Sequence, residues 1–268
     1  MIDIAVVGSI NMDLLAVTPR LPRPGETILA GDFRTIAGGK GANQATAAAR
    51  AGRACAMIGA VGDDAFGDRL RNRLRSHGVN VSGVRKAAGS SGVAMVTVDS
   101  DGENHIVVAP GANATVTALT ALDRATIAAA DTVVCQLEVP LTVVAETART
   151  ATKSGTRLLL IAAPAQPLPD ELLSHVDVLV VNAIEAATLT GSDSKDPVSL
   201  VRTLGREVSH VALTIGDGGC WFTGPDIAPT HIAAPDVTAV DTTGAGDAFT
   251  GALAARWSPD PLNAVRWA

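Results

Sequence analysis

The stretch Asp241-Thr-Thr-Gly-Ala-Gly-Asp247 leads into an apolar pattern, Ala248-Phe-Thr-Gly-Ala-Leu-Ala-Ala-Arg256. Ala245, Phe249 and Leu253 recur at helical spacing, which predicts a helix that starts at the Gly-Ala-Gly turn. Gly244, Ala245 and Gly246 carry no side chain large enough to cover the amides of the first turn. Those amides lack partners inside a helix, and the macrodipole adds partial positive charge around them. The turn therefore suits an anion. Asp247, in the same turn, is placed to take a proton from a group beside that anion. An anion hole next to a carboxylate is the equipment for phosphoryl transfer to a hydroxyl. In isolation the same residues also make an ordinary helix start, because Asp favours first turns and Gly favours turns.

Other polar clusters tip that balance. Gly8-Ser-Ile-Asn11-Met12-Asp13 follows an apolar run, as do Glu138, Asn182-Ala-Ile-Glu185 and Thr214-Ile215-Gly216-Asp217-Gly218-Gly219. In a parallel sheet, residues just past the carboxyl ends of strands line the ligand crevice. Gly38-Gly39-Lys40-Gly41-Ala42-Asn43-Gln44 precedes an Ala-rich helical run, and its glycines allow close backbone approach to a ligand. It is not a Walker A loop, since the GxxxxGK[ST] spacing is absent. Asx turns and a flexible helix entry are the plain alternatives for these clusters.

The elements that must position these residues alternate. Strands are expected at Ile2–Val7, Leu14–Val17, Thr27–Ile36, Cys55–Ala60, Val93–Val98, His105–Val108, Thr132–Leu137, Arg157–Ile161, Asp177–Val181 and Val211–Ile215. Helices are expected at about 40–50, 65–77, 117–130, 141–152 and from Asn182, with a late antiparallel addition around Trp221 and Ile227–Ala233. This order implies an α/β fold with a doubly wound, mostly parallel sheet covered on both faces. The early strands before any helix, and the hairpin tipped by Asp99–Glu103, read as a small β excursion.

With 268 residues, 47% apolar and 18% charged, the chain can bury a large core. Its net charge of −6 argues against nucleic acid as a partner. Cys55, Cys135 and Cys220 sit far apart in apolar runs and read as core residues in a reducing compartment. No leader pattern or membrane-length apolar run is visible, so a cytoplasmic location with no membrane partner is the expectation.

Taken in order, the Gly8–Asp13, Gly38–Gln44, Asn182–Glu185 and Asp241–Asp247 motifs resemble the PfkB family of sugar kinases, and its ribokinase branch in particular, over essentially the whole chain. The resemblance implies one ribokinase-like domain with lid strands inserted at about 12–37 and 91–109. Asn11, Met12, Asp13, Gly39, Lys40, Gly41, Ala42, Asn43, Glu138 and Asp247 would bind the sugar. Asp247 would be the general base, and the backbone of Gly244, Ala245 and Gly246 would form the anion hole. Asn182, Glu185, Thr214, Ile215, Gly216, Asp217, Gly218, Gly219, Gly246 and Asp247 would serve ATP, with Glu185 holding Mg²⁺ through water. Asp241 and Thr243 would bind a monovalent cation, usually K⁺. The lid would also build a homodimer.

The expected reaction is ATP-dependent phosphorylation of the 5-hydroxyl of D-ribose. Deoxyribose or fructose kinases and a non-catalytic sugar-binding protein are the alternatives. A nucleoside kinase is disfavoured by the absence of Tyr and the small number of Phe. A dinucleotide oxidoreductase would need a GxGxxG turn after the first strand, and Gly8 stands alone there. Two departures from the family pattern stand out. Ile161-Ala-Ala-Pro-Ala165 lacks the family's Asn, and the family continues for several tens of residues past Trp267-Ala268. Weakened nucleotide affinity and potassium activation with a complete sugar site are the expectation from the second.

Overall fold

Runs such as Ile4-Ala-Val-Val7 and Leu158-Leu-Leu-Ile161 are apolar at every position, as strands buried on both faces must be. The computed structural model describes residues 2–238 and 242–268. In chain order the elements are β1 (Ile4–Val7), β2 (Asn11–Val17), β3 (Asp32–Gly38), α1 (Lys40–Arg50), β4 (Cys55–Gly62), α2 (Ala65–Ser76), β5 (Asn80–Ala87), β6 (Gly92–Val98), β7 (Asn104–Ala109), α3 (Ala121–Ala128), β8 (Thr132–Cys135) and α4 (Leu141–Ser154). They continue with β9 (Arg157–Ile161), α5 (Asp170–Leu173), β10 (Val178–Asn182), α6 (Ala183–Thr190), α7 (Pro197–Leu204), β11 (His210–Thr214), β12 (Cys220–Gly224), β13 (Ile227–Ile232), α8 (Ala245–Arg256) and α9 (Pro261–Trp267).

The large sheet runs β13-β12-β11-β10-β9-β8-β1-β4-β5. It is parallel from β11 to β5, and β12 and β13 add an antiparallel edge. Alternate residues of each strand enter opposite cores. Val7, Val133, Leu158, Leu160, Leu179 and Leu213 pack with residues of α3, α4, α5, α6 and α7. Val6, Val134, Leu159, Val180 and Ala212 pack with residues of α1, α2, α8 and α9. The strand order turns around β1 and β8, so their carboxyl ends open a crevice where a ligand fits. The three cysteines are buried and free, as the sequence implied.

A second sheet, β3-β2-β6-β7, stands apart from the first. The two expected hairpins are joined in it by a parallel β2–β6 pairing that runs from Asn11↔Gly92 to Val17↔Val98. Its root is pinned to the large sheet. The Asp64 carboxylate caps α2 by accepting from the Gly67 N–H, and it also accepts the Ser91 N–H and hydroxyl. Asn113, in the 3-10 turn Gly111–Thr115, donates from Nδ2 to Asn11 Oδ1 at 2.7 Å and accepts the Ile10 N–H.

Two expectations are corrected. The strand expected from Thr27 starts at Asp32, because its partner β2 ends at Val17, which pairs with Asp32. The helix expected from Thr117 starts at Ala121, because Thr120 and Asp123 close a capping box there. No helix of the described residues is long and apolar enough to cross a membrane.

Candidate active site

Helix α8 begins at Gly244, whose φ of 75° is left-handed and which offers no capping side chain. The Ala245 N–H turns back to the Thr242 carbonyl at 3.1 Å. Ala245 was expected to contribute its amide to the anion hole, but that amide is engaged by the turn. Among the described residues the amides of Gly246 and Asp247 have no acceptor, and both residues line a cleft of about 190 Å³. A Cβ built on Gly246 would meet open space. The cleft is closed by Lys40 from α1, Asn182 and Glu185 at the start of α6, Thr214 at the end of β11, and an apolar floor that includes Ile161 and Val180.

Asp247 sits where α8 meets α1. Its Oδ2 accepts from Asn43 Nδ2 at 3.0 Å and its Oδ1 from Gln44 Nε2 at 2.8 Å. The two helices approach closely at Gly251, where a Cβ would lie 2.6 Å from the Gln44 carbonyl oxygen. Burial raises the pKa of Asp247, and the Asn43 amide, the Lys40 charge and the Gln44 amide oppose that rise.

The other acidic groups gather on the same side. Glu138, just past β8, accepts from Ser9 Oγ at 2.5 Å and from the Lys40 N–H at 3.3 Å. Asp13 projects from β2 against Gly38 of β3, where a Cβ would lie 2.2 Å from its carboxylate. Burial, then the charges of Glu138 and Asp247, push the Asp13 carboxyl up to about 6. Three carboxylates and the Asn43 amide thus face one another across the crevice, a donor and acceptor fan suited to a polyhydroxylated ligand.

Asn182 caps α6 and forms a capping box with Glu185. Its N–H donates to Glu185 Oε2 at 2.8 Å, its Nδ2 to Oε1 at 3.0 Å, and the Glu185 N–H donates back at 2.9 Å. Burial raises the Glu185 pKa, and the Asn182 N–H and the Lys40 charge oppose the rise. Lys40 lines the cleft together with Asp247 and Glu185, and its charge acts on both carboxylates.

Met12 is fully buried in the core, so its side chain does not face the cleft, and Gly41 and Ala42 are buried at the start of α1. Gly39, with φ 90°, takes α1 into contact with Ile10 and Asn11. The Asn11 side chain is buried and engaged by Asn113. Of Thr214–Gly219, Thr214 lines the cleft. Ile215 to Gly219 form a tight turn beyond it, closed by the Ile215 N–H to the Gly219 carbonyl, with Gly216 and Asp217 exposed. Thr243 lies just ahead of α8, and Asp241 lies outside the described residues.

Ser9, Gln44, Asn113 and Gln136 touch the site residues but carry no assignment from the sequence. Ser9 and Gln44 lie inside motifs already singled out, and Gln136 lies two residues ahead of Glu138, so position gave some signal. Asn113 gave none.

The family model for pfkB family carbohydrate kinases matches residues 1–261. The ribokinase of Schizosaccharomyces pombe is 39% identical over 268 residues, which cover 94% of this chain and 84% of that protein. The bifunctional ribokinase/ribose-5-phosphate isomerase A of Fructilactobacillus sanfranciscensis is 38% identical over 97% of this chain, which spans 49% of that longer protein. Among solved structures, Arabidopsis thaliana ribokinase complexed with ribose and ATP superposes with a TM-score of 0.91 at 31% identity, covering 99% of this chain and 90% of that one.

Proposed function

The chain belongs to the PfkB family of carbohydrate kinases, and from that premise we propose that it transfers the terminal phosphoryl group of ATP to the 5-hydroxyl of D-ribose. The observation that carries this reading is the meeting at Asp247 of two half-sites. One half is the crevice of Asp13, Asn43 and Glu138. The other is the cleft whose walls include the open amides of Gly246 and Asp247, Lys40, Asn182 and Glu185. The ribokinase structure with ribose and ATP gives both halves a ligand class.

In this reading the sugar lies against Asp13, Asn43 and Glu138, with its terminal hydroxyl at Asp247. Asp247 accepts the hydroxyl proton as the oxygen attacks the phosphorus. The Gly246 and Asp247 amides meet the charge that develops on the transferring group, where fixed donors in a shielded site are most effective. The ammonium of Lys40 adds a positive charge on the same side.

The donor sets also suit two ions. Both carboxylate oxygens of Glu185 already accept from Asn182, so the lone pairs that remain fit a hydrated Mg²⁺ better than direct ligation. Such an ion would neutralise phosphate charge. Asp241 and Thr243, which precede α8 in the sequence, carry hard oxygen donors for K⁺, and a cation held by them would add to the positive charge of the helix start.

The small sheet is read as the lid over the sugar and as the contact with a second copy. Strand register places Ile36, Asp13, Ala94 and Val108 in one row, and Arg34, Leu15, Val96 and Ile106 in the next row on the same face. Apart from Asp13 and Arg34 these positions are apolar, and Ile36, Ile106 and Val108 are exposed.

A coupled kinase assay over a panel of pentoses and hexoses, with and without K⁺, tests the proposal. Ribose-dependent ATP consumption is the expected result. No ATP consumption with any sugar would leave a binding protein instead.

A further inference from the structure

Behind Asp247 lies a chain of buried amides that the reaction as described does not use. Gln44 and Gln136 are both fully buried and line no part of the cleft, so neither reaches a substrate. Gln44 Nε2 donates to Asp247 Oδ1 at 2.8 Å, and Gln44 Oε1 accepts from Gln136 Nε2 at 3.0 Å. Gln136 Nε2 also points at the carbonyl oxygen of Val7, the last residue of β1, at 3.4 Å.

The polarity of this chain is set at both ends. A backbone carbonyl can only accept, so Gln136 must present its NH₂ group toward Val7 and Gln44. Gln44 then presents its oxygen to Gln136 and its NH₂ to the carboxylate. Turning the Gln44 amide over would set oxygen against the carboxylate and NH₂ against NH₂. The arrangement leaves Gln136 Oε1 buried with no partner. Packing alone gives no reason to keep an orphaned acceptor there, since an apolar side chain of similar shape would fill the space without one.

We propose that Gln44 is a positioning residue that tethers Oδ1 of Asp247, and that Gln136 acts through it by fixing the direction of the Gln44 amide. Oδ1 is thereby committed to a donor that substrate cannot displace. Oδ2 is held by Asn43, a residue of the sugar crevice, and is the oxygen left to receive the hydroxyl proton. The tether also favours the ionised carboxylate against the burial that opposes it. Lys40 shares that task, while Glu138 and Asp13 work against it. The proposal rests on Asp247 being the base.

The test compares Gln44→Met, Gln136→Leu, the double variant and Asp247→Asn in the full chain. Turnover, KM for ribose, the pH profile of kcat/KM and Tm are measured for each. Gln44→Met is expected to lower kcat by about 10- to 100-fold, the scale of a misplaced reacting group, while KM for ribose changes little. The acid limb of its profile should move to higher pH, because the carboxylate has lost a donor. Gln136→Leu should show the same two changes more weakly, with Tm at or above wild type. The double variant should be no slower than Gln44→Met, since Gln136 acts only through Gln44.

Wild-type kcat and an unmoved acid limb in Gln44→Met, beside an inactive Asp247→Asn, would overturn the positioning role alone. Independent, multiplying losses in the double variant would overturn the relay from Gln136. Should Gln44→Met not fold, Gln136→Leu decides, because it touches neither Asp247 nor the cleft; unchanged kcat and acid limb there would sink the proposal. Full activity in Asp247→Asn would instead remove the base reading beneath it.

Discussion

Two helix starts, those of α6 and α8, face the same cleft and share a layout, yet they are finished in opposite ways. Each has a carboxylate at the third helical position, Glu185 in α6 and Asp247 in α8. In α6 the cap is Asn182, and Glu185 folds back onto it, so cap and carboxylate satisfy one another. In α8 the cap is Gly244, which has nothing to offer, and Asp247 is held instead by Asn43 and Gln44 of another helix. The residue at the cap decides whether a carboxylate in the first turn is folded into the local cap or held clear of it by another helix. It also decides whether the amides beside it are consumed or left for a ligand.

The sharpest way to break the comparison is Asp247→Asn. General-base help is worth about 10²- to 10⁴-fold in rate, so kcat should fall by that order while calorimetry still finds ribose binding. The equivalent loss from Glu185→Gln should fall on KM for Mg-ATP instead.

Gly244→Ala is next. A left-handed φ costs an L-residue about 1–2 kcal/mol, so the first turn of α8 should shift and swing its amides off target. We expect kcat to fall about tenfold, below the loss typical of deleting a whole anion-hole donor, and the denaturation midpoint to drop as well.

Asn182→Ala removes the cap that α8 never had. Loss of an N-cap side chain costs about 1 kcal/mol, so urea unfolding should show mainly a stability loss, with a modest rise in KM for Mg-ATP. A kcat loss as large as that of Gly244→Ala would mean that the two helix starts do not differ in role.

The smallest effect concerns Asp13. Its folded pKa of about 6 lies above the ordinary carboxylate value of 3.8, so its contribution to stability is fully present below about 3.8 and is lost as pH rises through 6. The ligand-free protein should therefore lose stability between those pH values, by about 1–2 kcal/mol once solvent screening of this partly buried group is counted. In Asp13→Asn that fall should be absent from pH-dependent urea titrations.

How far the sequence reached can be seen residue by residue. The buried strands were legible because Val178–Val181 or Arg157–Ile161 has one physical solution, and the helix at Gly244 because small residues precede a 3.6-residue pattern. β5 was harder. Its burial is broken, with Gly83 in its middle packed against Ile58 of the neighbouring strand. The start of β3 is set by where β2 stops, which no local pattern of Thr27–Ala30 could announce. In the site, Asp13, Asn43, Glu138 and Asp247 were legible through their motifs, whereas Asn113 and Gln136 matter only through partners about a hundred residues away in sequence.

The pinned root of the small sheet has a mechanical consequence. Asn11 and Asp13 sit beside the anchor made by Asn113 and Asp64, while the free ends of β2 and β6 lie at Val17 and Val98. At about 3.3 Å per residue, a 20° swing about that anchor would carry the tips about 7 Å but Asp13 only about 2 Å. In the proposed reading the sheet is a lever whose fulcrum holds the groups that read the sugar, so the pocket's selectivity would be set before its cover came down.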